Sequence, residues 1–308
     1  MLLKRNDKTI ACILEVIPAR LAQIIGRYIR TENVEEIRFR INRPVQLVAS
    51  DKDVLLTQYG VFSYSESGAL LHRLCMGSVY ALEDELAKGY VTIIGGARVG
   101  ICGRPVVEHG RIVKLTDIQG FNIRIPYEAY GCAEPLVNAF IKDGRPATTI
   151  IAAPPGVGKT TFLRDLARCL SDGKGIERGY RTAIADERNE LSGSVEAVPM
   201  LDIGARTDVM SLAAKSESIP MLIRSMNPEV VLTDEIMTDD DYDAISDAAC
   251  HGVSIIATVH ARSFREIRSI SRLNRLLDNG VIERAWILKR QGSAFSLIGE
   301  TGEKVCGD

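Results

Sequence analysis

Apolar positions in the first 128 residues follow two different spacings. Residues 18–30 carry apolar side chains at helical spacing after Pro18, with arginines on the opposite face. Residues 36–47 alternate apolar and polar side chains on both sides of Asn42-Arg43-Pro44, which predicts a β-hairpin. The region is therefore predicted to be a mixed α/β module with a largely antiparallel sheet. Its other predicted elements are helices over Ser67–Met76 and Ser78–Lys88 and short strands at Val91–Ile93, Val99–Ile101, Arg104–Val107, Ile112–Leu115 and Gly120–Pro126.

The pattern changes after residue 128 to short apolar strands separated by helices, which is typical of a parallel sheet. We therefore predict two domains, residues 1–128 and 129–308, with a linker over Pro126–Pro135. The predicted strands are Thr148–Ala152, Thr182–Ala185, Val230–Thr233 and Ser254–Thr258; the predicted helices are Ser218–Met226, Asp239–Ala249 and Phe264–Leu277; Val281–Lys289 and Ala294–Ile298 are predicted to form a terminal hairpin.

A glycine-rich loop follows the first of these strands and leads into an amphipathic helix. It matches the P-loop pattern G-x-x-x-x-G-K-[ST], except that Ala153 stands at the first glycine position. In a P-loop, backbone amides and the helix N-terminus hold the phosphates, Lys159 reaches the β- and γ-oxygens, and the Thr160 hydroxyl holds Mg²⁺. The predicted ATP-binding residues are Pro155, Gly156, Val157, Gly158, Lys159, Thr160 and Thr161. The predicted fold is an α/β P-loop NTPase with a RecA-like parallel sheet and helices on both faces, preceded by the smaller module.

Two carboxylates end the strand Val230–Thr233. In a P-loop sheet, this strand end lies beside the phosphate loop, so Asp234 is predicted to hold Mg²⁺ and Glu235 to polarise the attacking water. His260 follows the next strand, and it is predicted to sense the γ-phosphate.

An acidic segment, Asp186–Leu191, follows the strand Thr182–Ala185. Acids this close to a phosphate site require Mg²⁺ or arginine partners. Glu190 is predicted as a second-line catalytic sensor, and Arg224, just before the Asp234 strand, as a nucleotide-binding candidate. An exposed acidic loop with no function is the alternative interpretation of this segment.

Composition and charge narrow the class of protein. The chain has 308 residues, a formal charge of −2 and a pI of about 6.2, so no overall basic field favours nucleic-acid binding. Its seven cysteines show no C-x-x-C spacing, which favours buried thiols in a reducing compartment. The apolar run at residues 10–17 contains Glu15, and it is interpreted as neither a signal peptide nor a membrane span.

The P-loop, the acidic segment, the run Ile223–Glu235 and the segment Thr258–Ala261 occur in the order found in type II and type IV secretion ATPases. The chain resembles these enzymes, and it resembles the stage III sporulation protein AA family more closely over nearly its whole length. Residues 89–100 and 204–209 carry that closer resemblance. What the resemblance implies is a homo-hexameric ring ATPase, cytoplasmic on the mother-cell side and attached to the membrane through integral-membrane channel components.

In the related secretion ATPases, arginines of the N-terminal domain complete the nucleotide site. The candidates here are Arg98, Arg104 and Arg124, with Arg124 as the predicted catalytic contact to the γ-phosphate. The predicted function is therefore an ATPase that uses ATP and Mg²⁺ to power or gate a membrane-embedded export channel during sporulation. The alternatives are a slow, nucleotide-gated assembly scaffold and a nucleic-acid-associated ATPase, which the acidic pI disfavours.

Overall fold

The structure is a computed structural model of the whole chain. It describes residues 2–4, 7–32, 34–49, 52–75, 89–93, 97–125, 128–195, 197–292 and 294–306. Contacts divide the chain into two compact units. The N-terminal unit comprises Arg5–Tyr127 and Val195–Met200, and the C-terminal unit comprises Met1–Lys4, Glu128–Ser194 and Leu201–Asp308.

The described residues form strands and helices in both units. The strands are β1 (Leu2–Lys4), β2 (Val34–Arg40), β3 (Gln46–Ala49), β4 (Asp53–Leu55), β5 (Tyr90–Thr92), β6 (Arg98–Glu108), β7 (Arg111–Arg124), β8 (Glu128–Tyr130), β9 (Ile141–Lys142), β10 (Arg145–Pro146), β11 (Thr149–Ala152), β12 (Thr182–Asp186), β13 (Thr207–Ser211), β14 (Val230–Thr233), β15 (Ser254–Val259), β16 (Arg284–Gln291), β17 (Ala294–Ile298) and β18 (Lys304–Cys306). The α-helices are α1 (Asp7–Val16), α2 (Ala19–Thr31), α3 (Tyr64–Leu74), α4 (Lys159–Asp172), α5 (Lys215–Met226), α6 (Asp239–Cys250), α7 (Phe264–Ser269) and α8 (Ser271–Asp278), and Thr57–Tyr59 and Glu134–Phe140 are 3₁₀ helices.

The N-terminal unit is built on an antiparallel sheet of six strands in the order β4-β3-β2-β7-β6-β5. Strand β2 shows the alternation that its sequence predicts: Ile37 and Phe39 are buried in the core, whereas Arg38 and Arg40 point to the other face. Apolar residues of α1, α2 and α3 pack in the same core. One face of this sheet is therefore covered by helices.

The C-terminal unit is built on a sheet of eight strands in the order β13-β12-β14-β15-β11-β16-β17-β18. In this order, the strands β13 through β16 are parallel to one another. Strand β17 pairs antiparallel with β16, and β18 pairs antiparallel with β17. Ile151 of β11 packs with Phe162 and Leu166 of α4, whereas Ile150 packs in a second cluster with residues of α5, α6, α7 and α8. Helices therefore cover both faces, and the predicted fold class is confirmed.

Several predicted elements have different bounds in the structure. The predicted helix over Phe264–Leu277 is two helices, because Ile270 is extended (φ −82°, ψ 101°). Helix α5 begins at Lys215 rather than Ser218 and contains Pro220. The short runs predicted between residues 104 and 115 are parts of the longer strands β6 and β7. The pattern did not predict α1, β13 or β18.

The predicted linker over Pro126–Pro135 contains β8, which pairs antiparallel with β1. The predicted helix Ser78–Lys88 lies outside the described residues. Within the described ranges, every helix is too short or too polar to serve as a membrane span.

Candidate functional site

Three neighbouring parallel strands end at the same edge of the C-terminal sheet. Ala152 of β11 is the register partner of Val259 of β15, and Ala257 of β15 is the partner of Thr233 of β14. The residues that follow these strands are the P-loop, His260 and the Asp234-Glu235 pair. The sheet therefore brings together the three motifs that the sequence predicts as one site.

The P-loop enters α4 through two glycines in the left-handed region, Gly156 (φ +82°) and Gly158 (φ +98°). Helix α4 begins at Lys159, whose side chain is buried. The Lys159 Nζ atom donates to Ala153 O at 3.2 Å and lies 3.0 Å from His260 Nδ1. Burial lowers the pKa of Lys159, and the charges of Asp234 and Glu235 oppose that shift.

Asp234 is held by groups from all three strand ends. The Thr160 hydroxyl donates to Asp234 Oδ2 at 2.6 Å, and the Thr258 hydroxyl donates to Oδ1. The Glu235 N–H also donates to Oδ1, at 3.0 Å. Mg²⁺ is commonly bound by only a few protein oxygens together with phosphate oxygens and water. A hydroxyl and a carboxylate next to a phosphate loop are such a set. Thr160 and Asp234 therefore fit the predicted metal role.

Glu235 is fixed by two side chains and by its backbone. Its Oε1 lies 2.7 Å from His260 Nε2, and its Oε2 accepts a hydrogen bond from Arg188 Nη1 at 2.6 Å. Its backbone is left-handed (φ +41°), and its N–H also donates to the Thr258 hydroxyl at 2.9 Å. Burial on its own raises the pKa of Glu235, but the His260 hydrogen bond and the charges of Arg188 and Lys159 bring this pKa below its ordinary value.

The two contacts of His260 define its tautomer. An ammonium group has no acceptor, so Nδ1 of His260 accepts from Lys159, and a carboxylate has no hydrogen, so Nε2–H donates to Glu235. This pattern fits a neutral ring with its hydrogen on Nε2. One histidine thus connects the P-loop lysine to the second carboxylate.

The acidic segment forms a loop around the buried Asp186 carboxylate. Asp186 accepts from the N–H groups of Glu190, Leu191 and Ser192 and from the Ser192 hydroxyl. Arg164 of α4 donates to the carbonyl oxygens of Glu190 and Leu191 at 2.6 and 2.7 Å. The backbone of Glu190 therefore helps to tie the loop to the P-loop helix, while its side chain is half-buried. These contacts order the loop while Glu187 and Arg188 remain exposed, so an exposed acidic loop stays the alternative interpretation.

Arg188 is the residue of this segment that contacts the predicted site, and the motif analysis did not single it out. The sequence feature that could have indicated Arg188 is that it is a single arginine among acidic residues. Its neighbour Glu187 pairs with Lys215 of α5 instead. The loop thus contributes a cation to Glu235.

Arg224 is not brought into this group. It lies in the last turn of α5 with its side chain exposed. Among the described residues, no hydrogen bond or ion pair is found for its side chain. A direct nucleotide contact by Arg224 therefore finds no support in the geometry.

The three N-terminal arginines belong to the other unit. Arg98 and Arg124 are register partners on β6 and β7, so they are neighbours on the sheet. Arg98 stacks over the Tyr90 ring at 3.8 Å, and Arg124 lies 3.4 Å from Glu36. Arg104 lies beyond a register shift, opposite Thr116, and it is exposed. Their predicted action on a γ-phosphate stays a prediction.

Comparison with known sequences identifies the family. The family described as sporulation stage III, protein AA matches residues 6–305. The chain belongs to this family. Within it, the chain is 40% identical over 280 residues to stage III sporulation protein AA of Bacillus subtilis (strain 168), which is 90% of each sequence. The resemblance expected from residues 89–100 and 204–209 is thereby confirmed.

Solved structures with the same fold include secretion and pilus ATPases. The ATPase DotB of Legionella pneumophila is 16% identical, with a TM-score of 0.58 over 94% of this chain and 79% of that one. The pilus retraction motor PilT with bound ADP is 13% identical, with a TM-score of 0.61 over 93% of this chain and 82% of that one. At such low identity these likenesses show the fold, so this member of the sporulation family has the P-loop fold of secretion ATPases.

Proposed function

We propose that the protein is a Mg²⁺-dependent ATPase whose site consists of the P-loop, Asp234, Glu235 and His260. The observation that carries the proposal is that three neighbouring strand ends place four side chains close together. These are Lys159, the hydroxyl–carboxylate pair of Thr160 and Asp234, and the second carboxylate, Glu235. A glycine-rich turn that binds nothing does not require this set of groups. Phosphoryl transfer to water has a use for each of them: the lysine for the phosphates, the hydroxyl–carboxylate pair for Mg²⁺ and the second carboxylate for the attacking water.

The phosphates of ATP are bound by the P-loop amides and by Lys159. A buried lysine beside the helix N-terminus supplies charge where water is largely excluded, so its attraction for phosphate is stronger than at an exposed surface. Thr160 and Asp234 hold Mg²⁺, which neutralises charge on the phosphate oxygens when it is bound.

Glu235 acts on the attacking water. A glutamate is ionised near neutral pH, and the pKa of Glu235 lies below its ordinary value, so its carboxylate can accept a hydrogen bond from the water. His260 holds Oε1 through its Nε2–H, and Arg188 holds Oε2. These contacts position the carboxylate, and the other ring nitrogen of His260 faces Lys159.

In the cell, we propose that hydrolysis powers or gates a membrane-embedded export channel during sporulation, with the protein working as a homo-hexamer on the cytoplasmic, mother-cell side. Family membership supports the sporulation role, and the fold shared with DotB and PilT supports a motor. The mass of the ATP-bound particle tests the ring, because a monomer would contradict it. Turnover that stays very slow even with membrane partners would indicate an assembly scaffold instead.

The Lys159→Ala variant tests the proposed site directly. We expect it to lose measurable ATP binding, because the triphosphate charge then meets only backbone donors. Calorimetric titration with Mg·ATP measures the affinity. Lys174→Ala is the matched control, since Lys174 is an exposed lysine just beyond α4. Equal affinity in Lys159→Ala and the wild type would contradict the P-loop assignment.

A further inference from the structure

The side of the P-loop away from His260 is bordered by the hairpin of β16 and β17. Strand β16 pairs parallel with β11, and Ile287 is the register partner of Ala152, the last residue of β11. Strand β16 continues to Gln291, so residues 288–291 extend past the end of β11 beside the P-loop. The P-loop is thus flanked by β15 with His260 on one side and by the β16–β17 hairpin on the other.

Two side chains of this hairpin reach the P-loop backbone. A Cβ atom placed on Gly158 would lie 3.3 Å from Phe295 Cζ and 3.8 Å from Arg290 Nη1. Phe295 is buried and packs on Phe162 of α4, with ring centroids 5.4 Å apart. Arg290 is the register partner of Phe295, and its guanidinium lies 5.8 Å from the Phe295 ring centroid. The aromatic ring therefore supports both Gly158 and the arginine beside it.

The contacts that Arg290 makes within the protein leave most of its guanidinium N–H groups available to bind a ligand. Its Nε donates to Gly292 O at 2.9 Å, which orients the guanidinium. Across the described parts of the chain, no carboxylate forms an ion pair with it. A guanidinium presents several N–H groups in a plane that matches phosphate oxygens. An oriented cation without an acidic partner, next to P-loop amides, fits an anionic ligand.

We infer that Arg290 binds the phosphates of the nucleotide that are not transferred, the α- and β-phosphates. This inference rests on the proposed ATP-binding function. The groups proposed to act on the γ-phosphate, which are Lys159, Glu235 and His260, gather on the β14–β15 side of the P-loop. Arg290 reaches Gly158 from the opposite neighbouring strand, so it meets the part of the ligand that ATP and ADP share.

The test compares the affinities of Arg290→Ala and the wild type for Mg·ATP, ADP and pyrophosphate by calorimetric titration. Loss of one charged hydrogen-bonding contact at an exposed site weakens binding by about tenfold. We expect this factor for all three ligands. The KM for ATP should rise by a similar factor, because the contact is equally present in the ground and transition states. Lys289→Ala is the control, since Lys289 is an exposed neighbour on the opposite face of β16.

Arg290→Gln separates this role from a purely structural one. Glutamine is neutral but can still donate to Gly292 O, so the melting temperature without ligand should be close to that of the wild type while the loss of affinity persists. The assignment would be overturned if the ADP affinity were unchanged, or if only the ATP affinity fell. It would also be overturned if the ADP affinity fell while the pyrophosphate affinity did not. If the wild type itself binds no nucleotide, the proposed function fails instead.

Discussion

In the Glu235→Gln variant, the side chain keeps its length, and its Oε1 atom can still accept the 2.7 Å hydrogen bond from His260 Nε2. The NH₂ group of the glutamine takes the position of Oε2. It therefore faces Arg188 Nη1, and because both groups are hydrogen-bond donors, this hydrogen bond is lost. Arg188 has to turn away into solvent. Because its side chain is already 52% exposed, losing this ion pair costs less than about 1 kcal/mol of stability.

The expected effect on catalysis is much larger than the effect on stability. Loss of a positioned general base lowers turnover by about 10²- to 10⁴-fold, which corresponds to about 3–5 kcal/mol in the activation barrier. The P-loop amides, Lys159 and the Thr160–Asp234 pair are untouched, so ATP should stay bound. The variant should therefore hold ATP without hydrolysing it.

The assay combines phosphate release at saturating Mg·ATP, calorimetric titration with ATP and a melting curve. Asp240→Asn is the matched control, because Asp240 is an exposed carboxylate at the start of α6. Turnover within about threefold of the wild type would refute the role of Glu235, since loss of a general base costs far more. A parallel loss of ATP affinity would show that Glu235 serves binding or folding instead.

Two further predictions concern stability. Asp186→Ala leaves three N–H groups without their acceptor, two of them buried, so we expect a loss of about 3–5 kcal/mol in the free energy of unfolding. A lower melting temperature and faster hydrogen exchange of the 190–192 amides would show this loss, and unchanged exchange would contradict it. In the N-terminal unit, the Arg20 hydrogen bond lowers the pKa of Glu66 to about 2 from 4.5, although burial opposes it. This depressed pKa stabilises the fold above about pH 4.5, and the contribution is lost as pH falls toward 2. Glu66→Gln should therefore reduce the difference in melting temperature between about pH 6 and about pH 3, and an equal difference would contradict this.

The central part of the site could be predicted because each of its motifs is short and follows its own strand. A β-branched strand, a glycine loop and an amphipathic helix are local patterns, and parallel strands place their carboxyl ends at one edge. Lys159, Thr160, Asp234, Glu235 and His260 therefore meet where the sequence analysis expected them.

Arg188 and Arg290 could not be assigned in the same way. The direction of the Arg188 side chain depends on the loop that closes around Asp186, and that loop depends on several backbone amides that have no sequence pattern. The position of Arg290 depends on the register of β16 against β11, which places residues 288–291 beyond the end of β11. Register and loop closure are long-range properties, so local periodicity carries little information about them.

The same reasoning explains the errors in the fold. Strands β1, β13 and β18 have three to five residues, which is too short for a clear alternation of apolar and polar side chains. The break at Ile270 interrupts a helical apolar pattern without glycine or proline. Arg268, in the last turn of α7, forms ion pairs with Asp278 and Glu300, contacts that only the folded chain brings together.

Under the proposed function, the hydrogen bonds of Lys159 link nucleotide binding to the catalytic carboxylate. An ammonium group has three hydrogens, and Ala153 O and His260 Nδ1 already accept two of them. One phosphate oxygen can be bound with the third, but bridging two phosphate oxygens requires Lys159 to release an acceptor. Ala153 is buried at the end of β11, whereas the His260 side chain is 40% exposed and has room to turn. The contact to His260 is therefore the one that gives way. Since the same ring holds Glu235 Oε1, while Arg188 still holds Oε2, His260 is the side chain through which phosphate binding by Lys159 can reach the carboxylate.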